Sequence, residues 1–294
     1  MNSNLVQAFN FVVLLIIYYN SLMYLQLFNI FLATIFSFKG TTIPSNFHEI
    51  QDFQGKAYYF SKSTMDLGSW GARMSEVQKK DIKNRLKNRL EKTYVLTFDK
   101  DESIFKEEEK VDAISGATDS WGSNFARGKQ YKNISSNQLI QAQEFYGKRF
   151  LVKDELQKIE WKMGSESKQI GQYLCFKAKA VIPTDELTWY DFSWNDLSSD
   201  EEDKDIELTS VEAWYTLQIP LNHGPAEYWG LPGLILEVSA GNTTMLCSQV
   251  IINPKEKIEI KSPNKGKEIN KINYSETVQS KMLEMRNNRG RRRG

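Results

Sequence analysis

Few residues in this chain have types that could carry chemistry: His48 and His223, Cys175 and Cys247, and scattered acidic runs. Nucleophilic catalysis needs a base beside a hydroxyl or thiol, with a third group to orient the base. His223, with Glu227 four residues on, is the pairing that suits a hydrolase, and it stands as one alternative. Neither histidine has a neighbour that completes a known nucleophile motif. The run Asp112–Asp119 contains Ser115-Gly116 but no Gly-x-Ser-x-Gly elbow. No Walker loop, dinucleotide fingerprint or His-Glu-x-x-His helix occurs. No catalytic residue and no cofactor is assigned.

Two cysteines and two histidines exclude zinc ribbons, Cys/His clusters and c-type haem attachment. The acidic stretch Ser198–Glu207 lacks the central glycine of an EF-hand loop and reads as solvated, so no metal ligand is assigned. Cys175 and Cys247 each sit in an apolar, strand-like run. In an oxidising envelope a disulfide between them would close a loop of about seventy residues, for roughly 4 kcal/mol on the chain-entropy model. The alternative is two buried free thiols acting as small apolar groups.

The 38 Lys and Arg residues against 37 Asp and Glu leave a net charge of +1, so no global attraction to nucleic acid is expected. Charge is absent before Lys39. Leu5–Tyr19 and Leu22–Phe38 form two apolar stretches, read as an export signal or a membrane anchor. A start at Met23 would make Leu25–Phe38 the apolar core of a signal. The arginine- and glycine-rich stretch that ends at Gly294 reads as a solvated tail.

The elements between them read mostly as strands. Lys56–Phe60, Thr93–Asp99, Phe150–Lys153, Ile159–Met163 and Ile170–Ile182 carry the alternation or apolar content of strands. In Val211–Ile219, Val211, Ala213, Tyr215, Leu217 and Ile219 share one face, and Trp214 lies on the other. Leu234–Ser239 and Thr244–Ile252 flank Ala240-Gly241-Asn242 as a hairpin, and Lys255–Lys261 reads as a last edge strand. Asp101–Tyr131 reads as a long loop pinned by Trp121 and Phe125. Ser75–Glu91 is predicted helical: Ser75 and Gln78 make a capping box, and Ile82, Leu86 and Leu90 line one face. A second helix is expected near Thr277–Asn287.

Gly230-Leu231-Pro232-Gly233-Leu234-Ile235 is the most specific segment. Pro232 fixes φ and the glycines open conformations closed to other residues, so the segment reads as a rigid loop. Leu231 either plugs the sheet or, with Tyr228 and Trp229, presents an apolar rim to a ligand. The hexapeptide resembles the signature of the GLPGLI family, exported bacterial envelope proteins of no established activity. Gly55–Tyr59, Ile170–Ala178 and Val211–Thr216 with Gly224-Pro225 also look like blocks of that family, in order. The resemblance implies an exported, periplasmic or outer-membrane-associated protein and assigns no catalytic residue.

The expected fold is mainly β, a curved antiparallel sheet or half-barrel with one or two amphipathic helices. Its expected divisions are an export signal or anchor at 1–38, a linker at 39–54, a β-rich domain at 55–275, and a helix and basic tail at 276–294. The expected function is non-enzymatic: Trp214, His223, Tyr228, Trp229 and Leu231 would bind a lipid-like ligand or an outer-membrane partner. A purely structural interaction module is the other reading, and a filled sheet without a cavity would favour it.

Overall fold

Pro-poor, alternating segments pair into a 12-stranded sheet. The computed structural model describes residues 53–64, 71–108, 126–192, 206–256 and 258–291. The chain divides into two units, Met1–Ile50 and Gln51–Gly294, and the described residues belong to the second. His48, the apolar stretches before Lys39, Trp121, Phe125, the Asp112–Asp119 run, the acidic residues 198–205 and the last residues of the tail lie outside the described residues.

The strands are β1 (Gly55–Ser63), β2 (Glu91–Phe98), β3 (Glu102–Glu107), β4 (Gln130–Asn133), β5 (Gln138–Phe145), β6 (Lys148–Glu155), β7 (Lys162–Ile170), β8 (Tyr173–Pro183), β9 (Leu208–Thr216), β10 (Leu234–Ala240), β11 (Thr243–Ile252) and β12 (Lys267–Ile269). The helices are α1 (Glu76–Leu90), α2 (Thr184–Thr188) and α3 (Lys271–Arg291). Across the sheet the order is β12-β6-β5-β4-β3-β2-β1-β11-β10-β9-β8-β7. Every pairing is antiparallel except β12 with β6.

One connection shows that the sheet is curled. β6 is second in the order and β7 is twelfth, yet only Leu156–Trp161 join them. Ten strand spacings on a flat sheet would be about 48 Å. Six connecting residues reach at most about 25 Å. The sheet must therefore bend until its two ends approach, and it is an open half-barrel because β7 and β12 do not pair. Two indoles hold the connector: Trp161 Nε1 donates to Trp229 O at 2.8 Å, and Trp229 Nε1 donates to Gln157 O at 2.7 Å.

The helices follow their local signals. α1 starts at the Ser75–Gln78 capping box. α3 starts earlier than the apolar pattern suggests, because the Asn270 side chain accepts the Asn273 N–H at 2.8 Å. It buries Tyr274, Val278 and Met282 against Phe145, Phe150 and Val152 of the sheet and against Trp189 after α2.

Three expectations fail locally. Asp101–Tyr131 is not one loop, since β3 lies within it and β4 begins before its end, and their inward positions include the polar Ser103 and Gln130. The described part of Lys255–Lys261 forms no strand; Ile260 packs on Ile104, Tyr131, Ile140 and Leu151 instead, and β12 takes the edge. Ile159–Trp161 belongs to the connector, which its side chains anchor to the main core.

Candidate functional site

The segment after β9 does not run outside the sheet. Residues 217–233 fold over the concave face, where Leu231 is fully buried and His223, Glu227 and Tyr228 point inward. Ile235 N donates to His223 O and Leu234 N to Ile219 O, so the segment is hydrogen-bonded to its own return strand. Two glycines make this path possible. Gly230 takes φ +90°, and a Cβ on Gly233 would lie 2.0 Å from Thr216 O. Gly233→Ala should therefore lower stability by about 1–3 kcal/mol, as overpacking against backbone does. A denaturant midpoint unchanged from wild type would show that the two strands can separate there.

Under this segment lies a buried polar centre. The Arg127 guanidinium pairs with the Glu227 carboxylate, with the side chains 8% and 3% exposed. Arg127 also donates to the Tyr190 hydroxyl at 2.6 Å, and Gln130 Nε2 donates to the second Glu227 oxygen at 3.2 Å and to Gln141 Oε1 at 2.9 Å. Burial alone would pull the Arg127 pKa down, but Glu227 and the Tyr190 hydroxyl more than offset it and hold it above its ordinary value. Gln143 fixes the backbone on both sides of Arg127, accepting from Gly128 N and donating to Ala126 O.

Lys132 of β4 completes the centre. Its Nζ donates to the carbonyl oxygens of Gly224, Ala226 and Tyr228 at 2.8, 2.7 and 3.3 Å. Burial lowers its pKa to about 7, with Glu227 acting in the opposite direction. Three acceptors match the three N–H groups of an ammonium, so we assign the charged form. The turn it holds is strained, with Ala226 at φ 53°.

His223 stacks on Phe98, and its Nε2 lies 3.0 Å from Asp99 O, so the neutral ring carries its proton on Nε2 and donates it there. Burial, helped by the Lys132 charge, lowers its pKa to about 3. A general base works best with a pKa near the working pH, and this ring is far below it and wholly enclosed. Both Glu227 oxygens are engaged by Arg127 and Gln130. The two residues of the hydrolase alternative thus each fasten the loop to a different part of the sheet.

The remaining binding candidates are dispersed. Tyr228 and Leu231 are buried in the core and Trp229 is half-buried at the connector. Trp214 is on the outer face, where Lys168 Nζ lies 4.3 Å and Lys177 Nζ 5.3 Å from its ring centroid. Both lysines are paired there, Lys168 with Glu237 and Lys177 with Glu166 and Glu212. Cys175 and Cys247 are free thiols, which corrects the disulfide expectation. β9 and β10 lie between their strands, so the Cα atoms are roughly 14 Å apart across three spacings, and a disulfide needs under about 7 Å. Burial pushes the thiols up to about 11 and about 12.

The groove nearest the polar centre has a volume of about 490 Å³ and is open to solvent. Arg149, Lys265 and Glu144 line it beside Gly128 and Gln143.

Residues 161–237 match a family model described as a protein of unknown function, Porph_ging. The match spans about a quarter of the chain. It contains the Ile170–Ala178, Val211–Thr216 and Gly230–Ile235 blocks and leaves Gly55–Tyr59 outside. Two solved structures of PNGF-II, in the C2 and P21 space groups, are similar at 14% identity and a TM-score of 0.44. They align with 77% and 76% of this chain and with 32% and 33% of their own, so the chain spans about a third of their length. No curated protein sequence matches the chain.

Proposed function

We propose that this is an exported, envelope-associated protein whose β-domain is a non-enzymatic interaction module. One observation carries the reading: the concave face, where a carrier would hold its ligand, is filled by the protein's own segment. Leu231, Tyr228, His223 and Glu227 occupy that space, and Lys132 and Arg127 fasten the segment that carries them. The surface left for a partner is the outer one. There Phe60 and Leu246 pair across β1 and β11 and remain 39% and 41% exposed. The export and envelope parts of the proposal draw support from the uncharged apolar stretches before Lys39 and from the GLPGLI-like signature inside the residues that match a family model.

Native mass spectrometry of the protein purified gently from its own envelope tests the reading. The expected spectrum shows the bare protein mass, and cross-linking in the same envelope gives discrete protein adducts. A lipid-like mass retained in the native spectrum and lost on denaturation would replace the module by a carrier.

A further inference from the structure

Two lysines meet on the outer face of the sheet. Phe105 pairs with Gln130, so the neighbours Lys106 and Lys129 lie opposite each other, one near the end of β3 and one just before β4. Together with Lys56 they line a groove of about 780 Å³ that opens to solvent. Burial first, and the Lys106 charge second, lower the Lys129 pKa. None of these three lysines has an ion-pair partner among the described residues. The acids that border the groove are not paired with them. Glu107 is held by Lys92 and Glu259 by Lys261, while Glu108 and Glu256 are exposed.

Like charges directly opposite on paired strands are destabilising, and elsewhere the sheet compensates them. Lys62 faces Glu91, and Arg149 faces Glu144. Lys162 does face Lys179, but Glu212 lies opposite Lys179 on its other side. The row that holds Lys106 and Lys129 has no acid. It continues through Val95 and Tyr58 on one side and meets Ala142 on the other, where Ala142 N donates to Lys129 O. Tyr58 and Val95, with Ile104 in the next row, give the groove an apolar floor, and Pro254 and Ile258 border it. Solubility alone does not call for two opposed cations at the end of an apolar floor, whereas a carboxylate brought from outside removes their repulsion. We infer that this groove is the docking site for an extended, acidic segment of a partner protein. A carboxylate sits between Lys106 and Lys129, and an apolar side chain lies on Tyr58 and Val95. The inference rests on the reading of the protein as an interaction module and gives its partner a chemistry. A free oxyanion would leave the floor unused, and an acyl chain would run past a floor of three side chains into water.

The experiment is fluorescence anisotropy with the full chain in a neutral detergent and three labelled peptides. They are Leu-Glu-Val-Glu-Leu-Glu, its amide counterpart Leu-Gln-Val-Gln-Leu-Gln, and Ser-Glu-Thr-Glu-Ser-Glu, which keeps the charge and lacks the apolar side chains. The first should bind about tenfold more tightly than the second, the scale of two exposed ion pairs, and salt should narrow the gap. It should also bind more tightly than the third. In K106Q/K129Q the first two peptides should bind alike. A control, K80Q/K83Q, removes equal charge from exposed positions on α1 and should keep the tenfold preference. Without any peptide, Lys129→Gln should raise the denaturant midpoint, because it removes the repulsion.

Equal binding of the acidic and amide peptides overturns the inference, and so does a preference that survives in K106Q/K129Q. If the serine and threonine peptide binds as tightly as the first, the groove reads charge alone and the segment assignment falls. Displacement by millimolar inorganic phosphate would make it a site for a free oxyanion, and dodecyl phosphate binding more tightly than the peptide would make the occupant a lipid. A Lys129→Gln midpoint at or below the wild-type value would mean that the two charges are already compensated in the free protein. Failure of the peptide test leaves the filled concave face as it is, and a lipid retained on that face would change none of these titrations.

Discussion

Glu227→Ala should cost the fold roughly 3–5 kcal/mol, the penalty of leaving a buried charge without its partner. Arg127 is nearly inaccessible, and it donates to Glu227 and to the Tyr190 hydroxyl. Removing the carboxylate leaves a guanidinium enclosed with one neutral hydroxyl. The same substitution frees Gln130 from its second contact and loosens a turn that Lys132 already holds in a strained conformation. The double variant Arg127→Met with Glu227→Leu should recover most of the loss, because an apolar pair of similar volume needs no charge compensation. Urea unfolding measures both. The single variant should shift the midpoint with little change in slope, and the double variant should return it. A single variant within about 1 kcal/mol of wild type would mean that water reaches Arg127, as it does at exposed ion pairs. The concave face would then be more open than a lock allows.

That centre shows where a single sequence stops being legible. Tyr94, Leu96 and Phe98 alternate, and β2 could be read from them, just as the Ser75–Gln78 box announced α1. Those signals are local, and local physics sets them. β4 could not be read, because its inward residues invert the usual rule: Gln130 and Lys132 point into the core while Tyr131 points out to a small outer cluster, and in β3 the buried Ser103 breaks the apolar pattern beside Phe105. Polar groups become tolerable inside only when partners arrive from far along the chain. Lys132 finds its acceptors more than ninety residues away, and Arg127 finds Glu227 at a separation of 100. His223 and Glu227 stood out as residue types, but their roles depend on Asp99 O and Arg127, which no spacing rule connects to them. The curl of the sheet has the same origin. It rests on a six-residue connector between strands at opposite ends of the order, and its length means nothing until the order is known.

Acid should weaken this fold through His223 before the carboxylates titrate. In the folded state burial holds its pKa at about 3, well below the ordinary value of 6.5. Between those values the unfolded chain binds a proton that the folded chain refuses, so stability falls as pH falls through 6.5 and levels off only near 3. From pH 7 to pH 5 one such group removes about 2 kcal/mol. The groups around the ring agree with this direction: Lys132 opposes a second charge, and the carbonyls of Asp99 and Lys100 and the Asp101 carboxylate only partly offset burial. His223→Gln keeps an N–H donor for Asp99 O and cannot titrate. The variant should start from a lower stability at pH 7 and lose much less on the way to pH 5. The difference between the two pH profiles isolates this residue, because the two chains differ at that position alone. Parallel profiles would mean that His223 takes up its proton in the folded state, and then the ring would be accessible after all. The hydrolase alternative would regain its base, and the proposal of a non-enzymatic module would lose its main support.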